Sequence, residues 1–254
     1  MTYLAFHLCF ILPPILLLLF VPPRPLTGAS RWAVVALPAM ALLAVVYTTP
    51  WDNHLVRIGV WGYGADRVMG TIGYVPIEEY ALFVLQPVLT GLWLYRVSAG
   101  RTWSRLERGP LRPRLIVAAG LIAVAVVAAA LLLWQSTTYL GLILAWSLPV
   151  LALQWGWGGD IFARSGRVMA VAVAVPTLYL WAADRIAIGL GVWEISSRYT
   201  TGITLFGLPV EEAVFFLATN IMVVQGLVAI LWLSGRVLIH RRASLGEKRL
   251  PASR

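Results

Sequence analysis

The sequence predicts an all-α integral membrane protein with seven transmembrane helices in a three plus one plus three arrangement. Apolar residues make up 60% of the 254 residues and charged residues only 12%, which leaves too little polar surface to coat a soluble globule. Seven apolar segments are long enough to cross a bilayer. The chain also contains an internal duplication, which groups six of the seven helices into two three-helix repeats.

The predicted spans account for most of the chain. The first has no basic residue ahead of it and no convincing small-residue cleavage site, so we interpret it as a retained span and not as a signal peptide. The fourth and fifth come from one uncharged run that the polar turn 135–138 divides. The seven spans are Tyr3–Val21, Trp32–Thr49, Pro76–Tyr95, Leu115–Trp134, Thr138–Trp155, Val168–Ala183 and Pro209–Leu233.

An acidic phrase that occurs twice defines the duplication. Pro76-Ile77-Glu78-Glu79 recurs 133 positions later as Pro209-Val210-Glu211-Glu212. Upstream, an Asp and a Gly-Val-Trp sequence recur 132 positions later, the first set ending at Trp61 and the second at Trp193. Superposing the halves leaves the fourth helix unpaired. The predicted units are a first repeat at 1–97, a basic loop and connector helix at 98–135, a second repeat at 136–233 and a basic tail at 234–254.

Corresponding helices of the two halves are four crossings apart and therefore run in the same direction. The two repeats are predicted to be parallel, with both acidic phrases on one face of the membrane. In each half a long loop, Pro50–Val75 or Asp184–Leu208, separates the second helix from the third. Each loop has a Trp-containing apolar patch followed by a second β-prone stretch, so we predict a small hairpin or re-entrant cap over each half.

Basic residues are unevenly distributed between the two sides of the predicted bundle. Loops 22–31, 96–114 and 156–167 and the tail 234–254 hold 16 Lys or Arg on one side, against four on the other. The positive-inside rule then places the C-terminus in the cytoplasm and the N-terminus outside. We predict a multi-pass cell-membrane protein with its acidic phrases toward the non-cytoplasmic face. Topology and anionic lipid explain the net charge of +9 without a nucleic-acid partner.

Each acidic phrase has a structural and a chemical interpretation. Proline in the first turn of a helix and carboxylates near the positive end of its dipole are common, so capping alone explains one copy. Two adjacent acids at a membrane helix, kept in both halves, are more typical of function. Adjacent helical residues point ~100° apart, so one Glu can face the bundle while its neighbour caps the helix. We expect capping and chemistry to share the motif.

The other candidate site residues are two aspartates and six aromatic residues. Asp52 and Asp184 are predicted to follow the second and sixth helices, where an Asp is either a solvated turn residue or part of a site. Aromatic ring faces near the acids can stabilise a cation. His7 and His54 have no second ligand at metal spacing, and no phosphate loop or dinucleotide fingerprint occurs, so neither metal nor cofactor is predicted. The candidate substrate-binding residues are Trp61, Trp193, Tyr80, Phe83, Phe215 and Phe216.

These motifs resemble those of the small, cofactor-independent membrane lycopene cyclases, which occur as two short heterodimer subunits or as a fused tandem. The resemblance rests on the paired Pro-X-Glu-Glu phrases, the Asp ahead of a Gly-Val-Trp loop and the apolar helices, and it misses only the fourth helix and the basic tail. It implies a lyase- or isomerase-type ring closure of a linear carotenoid without net redox change. The catalytic residues that it implies are Glu78, Glu79, Glu211, Glu212, Asp52 and Asp184.

The residue types fit that chemistry. Protonating a terminal alkene needs a strong acid held away from water, the resulting cation needs ring faces, and ring closure ends with loss of a proton to a base. The residues leave open which Glu is the acid, whether the ring is β, ε or γ, and the oligomeric state.

Other classes of protein share this helix count. A small-solute transporter of three plus one plus three architecture would place polar groups in mid-membrane, yet the mid-span polar residues are few, chiefly Gln86, Asn220 and Gln225. A retinal-binding photoreceptor needs a lysine on a helix, whereas Lys248 in the tail is the only lysine. We predict an enzyme whose partners are the bilayer and a lipid-soluble linear carotenoid, with the transporter as the main alternative and a purely structural role as the other.

Overall fold

A computed structural model of the protein describes residues 1–20 and 30–247. Seven helices within these ranges are long and apolar enough to span a membrane, as predicted. The predicted end of the first span at Val21, most of loop 22–31 and the tail residues 248–254 lie outside the described residues. The helices are α1 (Tyr3–Phe20), α2 (Ser30–Ile58), α3 (Ile77–Val97), α4 (Leu111–Ala129), α5 (Thr138–Arg164), α6 (Gly166–Gly189) and α7 (Val210–Glu247).

Helices α2 and α6 are longer than the sequence predicted, and this moves two candidate site residues. α2 continues past Thr49 and through Pro50 to Ile58. Proline is tolerated inside a membrane helix because neighbouring groups can satisfy the carbonyl that its missing N–H frees. α6 likewise continues to Gly189. Asp52 and Asp184 therefore lie inside helices and not in the loops that follow them.

The predicted cytoplasmic loop 156–167 is almost entirely helical. α5 extends to Arg164, and α6 begins at Gly166, so Ser165 alone separates the two helices. Helix α4 packs mainly against α5 and turns most of its surface outward. It is the helix least integrated into the bundle.

Helices α2 and α6 end in the same way. Gly59 and Gly191 follow them with φ angles of +80° and +62°, a conformation that glycine adopts without steric cost. The amide of Val60 then donates to the Leu55 carbonyl, and the amide of Val192 to the Ala187 carbonyl, both at 3.0 Å. These are Schellman caps, and each sends the chain sharply across the end of the bundle.

Six short strands follow these caps, and their pairing joins the two halves. β1 (Trp61–Tyr63) pairs antiparallel with β4 (Trp193–Ile195), so that Gly62 lies opposite Glu194. Each half also has its own hairpin, formed by β2 (Thr71–Ile72) with β3 (Val75–Pro76) and by β5 (Thr204–Leu205) with β6 (Leu208–Pro209). A hairpin in each half was predicted, but the Trp-containing patches pair with each other instead of with their own hairpins.

Polar side chains in the middle of the bundle bond to one another. The Gln86 amide donates to Thr219 Oγ1 at 2.8 Å, and the hydroxyl of Thr90 donates to Asn220 Oδ1 at 2.7 Å. The Asn220 amide in turn donates to Thr177 Oγ1 at 2.9 Å. These bonds join α3, α7 and α6, and such polar groups stabilise contacts between membrane helices.

Candidate active site

The acidic phrases begin α3 and α7, and the second glutamate of each phrase faces the interior. Glu79 and Glu212 come from different halves of the chain, yet both line one cavity, which we call the acid cavity. Both residues are buried. The acid cavity has about 350 Å³ free of protein atoms, its open side included. Two carboxyl groups thus meet in one chamber whose other walls are mostly apolar.

Tyrosine hydroxyl groups hold these two carboxyl groups in place. Tyr3, at the start of α1, donates to Glu79 Oε2 at 2.6 Å, and Tyr63 in β1 lies 3.4 Å from the same oxygen. Tyr139, at the start of α5, donates to Glu212 Oε1 at 2.7 Å. A hydrogen bond to a carboxylate is among the stronger ones in proteins, so the tyrosines fix the orientation of each acid.

The loops hold the tyrosines in equivalent ways. The amide of Tyr3 donates to the Arg67 carbonyl at 2.8 Å, and the amide of Tyr139 donates to the Tyr199 carbonyl at 3.1 Å. Tyr63 belongs to the strands and lies outside the helices that can span a membrane. Burial, reinforced by the nearby Glu79 carboxylate, raises the pKa of Tyr63 well above its usual value. The Tyr63 hydroxyl therefore keeps its proton at neutral pH and acts as a donor.

The first glutamate of each phrase has different partners. Glu78 accepts from the amide of Met69 at 2.8 Å. Glu211 accepts from both the amide and the hydroxyl of Thr201, at 2.7 and 2.8 Å. Both partners lie in the long loops, so Glu78 and Glu211 attach the loops to the helix starts. The structure thus divides the four predicted glutamates into two that tie down loops and two that face the cavity.

The two aspartates lie beside the cavity glutamates. Asp184 lines the acid cavity and accepts from the indole N–H of Trp193 at 2.8 Å. Asp52 is fully buried, and among the described residues neither of its carboxyl oxygens has a hydrogen-bond partner. Each aspartate interacts electrostatically with both Glu79 and Glu212. Four acids from four helices therefore form one buried cluster.

Aromatic rings from each half pack against the tyrosine of the other half. Trp193 lies against Tyr3, with ring centroids 4.8 Å apart. Trp61 meets Tyr139 edge to face at 5.6 Å. Phe215 and Phe216, three and four residues after Glu212, complete the wall of the acid cavity. Four of the six predicted substrate-binding residues therefore lie where a cation formed in the cavity would meet a ring.

The other two predicted substrate-binding residues lie elsewhere. The hydroxyl of Tyr80 donates to the Ile72 carbonyl at 2.9 Å and accepts from the Asn53 amide at 3.2 Å, so Tyr80 anchors the first hairpin. Phe83 lines a neighbouring apolar groove and not the acid cavity.

The sequence analysis missed the three tyrosines. Tyr3 and Tyr139 both occur at the start of the first helix of a half, but they are 136 positions apart. The offset of 132 or 133 that aligns the acidic motifs does not pair them. Tyr63 corresponds to Ile195 in the second half, so it carries no repeat signal.

The acid cavity combines proton donors, proton acceptors and ring faces. Within the part of the chain that the structure describes, none of the four acids forms an ion pair; the acid that pairs with arginine is Asp160, which contacts Arg108 and Arg114. An unpaired carboxylate in an apolar interior is costly. A cluster of four acids is therefore suited to holding protons that it can transfer.

The fold and the site define a class of protein. Its members have seven helices that can span a membrane and a buried cluster of carboxyl groups between the two halves of the chain. The chain belongs to the lycopene cyclase family, whose model matches residues 1–97 and 136–229. The unmatched segment between these ranges contains α4. No solved structure matches the chain.

Named relatives cover nearly the whole chain. A lycopene beta-cyclase of Halobacterium salinarum is 42% identical over 246 residues, which is 92% of this chain and 98% of that protein. A bifunctional lycopene cyclase/phytoene synthase of Arthroderma gypseum is 35% identical over 267 residues, 97% of this chain but 43% of that protein. A bifunctional protein of the same description from Phycomyces blakesleeanus is 33% identical over 236 residues, 88% of this chain and 38% of that protein.

Proposed function

We propose that the protein cyclises the end group of a linear carotenoid such as lycopene, by acid–base chemistry in the acid cavity. The observation that carries this proposal is the meeting of Glu79 and Glu212, each held by a tyrosine, in one aromatic-lined chamber. Family membership supplies the substrate class. Similar proteins are named lycopene beta-cyclases, which supports a product ring of the β type.

The proposed reaction begins with one glutamate as a neutral acid. It gives its proton to the terminal double bond, whose electron pair forms the new C–H bond and leaves a tertiary cation. A neighbouring double bond attacks this cation and closes the ring with a new C–C bond. A carboxylate of the cluster then removes a proton from the ring cation, which restores a double bond. Proton gain and loss balance, so the product is an isomer and no redox cofactor is needed.

The buried acid cluster supports this cycle. Four like-charged groups cannot all ionise at close range in an apolar chamber, so the cluster shares a smaller number of charges. One Glu can therefore stay protonated while a neighbouring acid is the base. The ring faces of Trp61, Trp193 and Phe215 border the same space, and aromatic faces attract cations most strongly where water is excluded.

We infer a single composite site between two parallel repeats, 1–97 and 136–233, with the connector 98–135 and the basic tail 234–254 outside it. Both halves have the same order of helix, capped long helix, hairpin loop and acidic helix, which supports this division. A linear C40 chain is about as long as the hydrocarbon core is thick. Its two ends therefore visit the composite site one at a time.

We also propose that the acid cavity lies toward the non-cytoplasmic side, with the C-terminus in the cytoplasm. The 16 to 4 distribution of Lys and Arg supports this orientation. A reporter fused after Arg254 should be found in the cytoplasm, and a reporter outside the cell would reverse the assignment. The transporter alternative finds no support, because the family and the named relatives are cyclases.

Replacement of single glutamates by glutamine tests the proposed function. Each variant is expressed in cells that accumulate lycopene, and the cyclised pigment is quantified against the amount of folded protein. Glu79→Gln and Glu212→Gln keep shape and volume but lose the exchangeable proton, so we expect at least ~100-fold less product, the usual minimum contribution of general acid–base catalysis.

Glu78→Gln and Glu211→Gln are the matched controls, because each removes the same charge one residue away. We expect them to lower thermal stability while retaining most of the activity per folded molecule. Full activity of both Glu79→Gln and Glu212→Gln would rule out the proposed chemistry.

A further inference from the structure

A second cavity adjoins the acid cavity. It lies between α2, α3, α5 and α7 and has about 890 Å³ free of protein atoms, its open side included. We call it the lateral groove. Phe215 lines both the acid cavity and the lateral groove, so the two spaces are neighbours that share a wall residue.

The lateral groove runs away from the acids toward the middle of the bundle. On α7 it is lined from Phe215 to Val223, and on α2 from Met40 to Thr48. On α5 it is lined from Trp146 to Gln154. Each stretch advances eight residues, or ~12 Å at 1.5 Å per residue. This is a little under half of the ~30 Å hydrocarbon core.

The wall of the lateral groove is uncharged. Most of its polar side-chain groups are hydrogen-bonded within the protein, although among the described residues Trp146 Nε1 and Gln154 Oε1 are buried without a partner. The Gln86 amide donates to Thr219 Oγ1, and the hydroxyl of Tyr47 donates to the Trp146 carbonyl at 2.9 Å. The Gln154 amide donates to the Met222 carbonyl at 2.9 Å. The groove therefore offers a ligand mainly hydrocarbon and ring surfaces.

The flat rings of Trp146 and Phe215 line the end of the lateral groove next to the acids, and Trp51 packs against both of them. The indole of Trp51 stacks on Trp146 with centroids 4.7 Å apart, and it lies nearly parallel to Phe215 at 5.8 Å. At the outer edge, Leu43 and Leu153 are 58% and 75% exposed, so the groove opens sideways to the surface that faces lipid in a membrane. A flat, apolar chain can enter from the bilayer without crossing water.

We propose that the lateral groove binds the conjugated chain of the carotenoid next to the end group that is being cyclised. This inference rests on the proposed function. The end group passes Phe215 into the acid cavity, the adjoining part of the polyene lies against the ring-lined wall, and the rest of the chain stays among the lipids. The groove thereby aligns the terminal double bond with the acids.

Filling the groove with a large side chain tests this proposal. Ala44 faces the groove, and Ala44→Trp places an indole in space that is empty, so the helices need not move. Val150→Trp fills the groove from another helix. The matched control is Val46→Trp on α2, because Val46 is 63% exposed and does not line the groove. The measurement is conversion of lycopene to cyclised pigment per folded protein, with size-exclusion elution and thermal midpoint as checks of folding.

We expect Ala44→Trp and Val150→Trp to lower conversion at least tenfold, with elution and thermal midpoint like those of the unsubstituted protein, and Val46→Trp to stay within twofold. A graded series, Ala44→Val, Ala44→Leu and Ala44→Phe, provides smaller steps should the indole impair folding, and conversion should fall as side-chain volume rises. Conversion that stays constant across this series, or that is unchanged in both Trp variants, would overturn the groove assignment. The Glu79→Gln and Glu212→Gln variants report on the proposed function independently, since neither residue lines the groove.

Discussion

At the scale of single residues, neighbouring glutamates have different partners because successive helical side chains point ~100° apart. Glu79 and Glu212 face the acid cavity, whereas Glu78 and Glu211 reach back to loop amides. The same geometry explains why Phe215 and Phe216, one turn after Glu212, share its cavity. Tyr80, one residue after Glu79, turns away to the hairpin.

Tyr3→Phe and Tyr139→Phe should each lower the rate of cyclisation by about 10- to 100-fold. Each change removes the phenol that orients one acid and stabilises its charged form, and a hydrogen bond to a charged group contributes about 1.5–3 kcal/mol, with tenfold in rate for each 1.36 kcal/mol. The loss should be smaller than that of the Gln variants, because the acid itself remains. Initial rates on lycopene in membranes measure the effect.

Tyr95→Phe is the control for loss of a buried hydroxyl away from the acid cavity. Its hydroxyl donates to the Ala33 carbonyl at 2.9 Å, so this change should reduce stability without a specific loss of rate. Equal rates in all three Phe variants would show that the tyrosines do not act through the glutamates.

The sequence could predict which acids lie in the candidate site but not what orients them. The acidic phrases stand out because their residue types are costly at a membrane helix, and their repetition makes coincidence improbable. Tyr63 lacks both signals, since tyrosine is common near membrane interfaces and its counterpart in the second half is Ile195. Tyr80 was included because it adjoins the acids in sequence, yet neighbours along a helix do not share a face.

At the scale of elements, the two hairpins turn on different residues. The first places Gly73 in the left-handed conformation, with φ +66°, whereas the second places both Phe206 (φ +51°) and Gly207 (φ +81°) there. A side chain with a Cβ atom is strained in this conformation by about 1–2 kcal/mol. Phe206 is 95% exposed, so packing within the protein does not offset that strain.

Phe206→Asn should therefore stabilise the protein, because asparagine tolerates the left-handed conformation better than phenylalanine. We expect a rise of about 2–4 °C in the thermal midpoint in detergent, the shift that ~1 kcal/mol gives in a domain of about this size. Cyclisation should be unchanged, since the hairpin tip does not line the acid cavity.

Gly207→Ala is the control in the same turn, and it should shift the thermal midpoint in the opposite direction. A Cβ atom at Gly207 would strain the backbone and lie 2.7 Å from Arg185 Nε, so we expect a lower midpoint. A midpoint that rises in both variants, or in neither, would contradict the assigned turn geometry.

The positions of helices and hairpins were predicted from the sequence more fully than the pairing of strands was. Apolar length located all seven helices, and turn residues between β-prone stretches indicated the hairpins. Pro50 was interpreted as a helix end because proline lacks the N–H that a helix interior uses, and the sequence does not show where a membrane helix tolerates that loss. The pairing of β1 with β4 joins residues 130 to 134 positions apart, and three-residue strands contain no local signal for their partner.

At the scale of the whole molecule, the acid cavity belongs to neither half alone. Glu79 and Tyr3 come from the first half, and Glu212 and Tyr139 come from the second. Contacts that cross between the halves hold these groups together: the β1–β4 pairing and the packing of each loop tryptophan on the tyrosine of the other half. Because these contacts are non-covalent, the acid cavity should form even when the peptide chain between the two halves is cut.

Cutting the chain between Gly100 and Arg101 should therefore give two fragments that are inactive alone and active together. The cut falls in the non-helical segment 98–102 and keeps α4 with α5, its main packing partner. Co-expressed fragments 1–100 and 101–254 should restore cyclised pigment to within about tenfold of the intact chain. Association of two fragments costs several kcal/mol of entropy, and confinement of both fragments to the membrane reduces that cost. Co-expression with Glu212→Gln in the second fragment is the control and should give no restoration. Substantial pigment from either fragment by itself would show that one half contains a complete site, and the composite arrangement of the acids would then be abandoned.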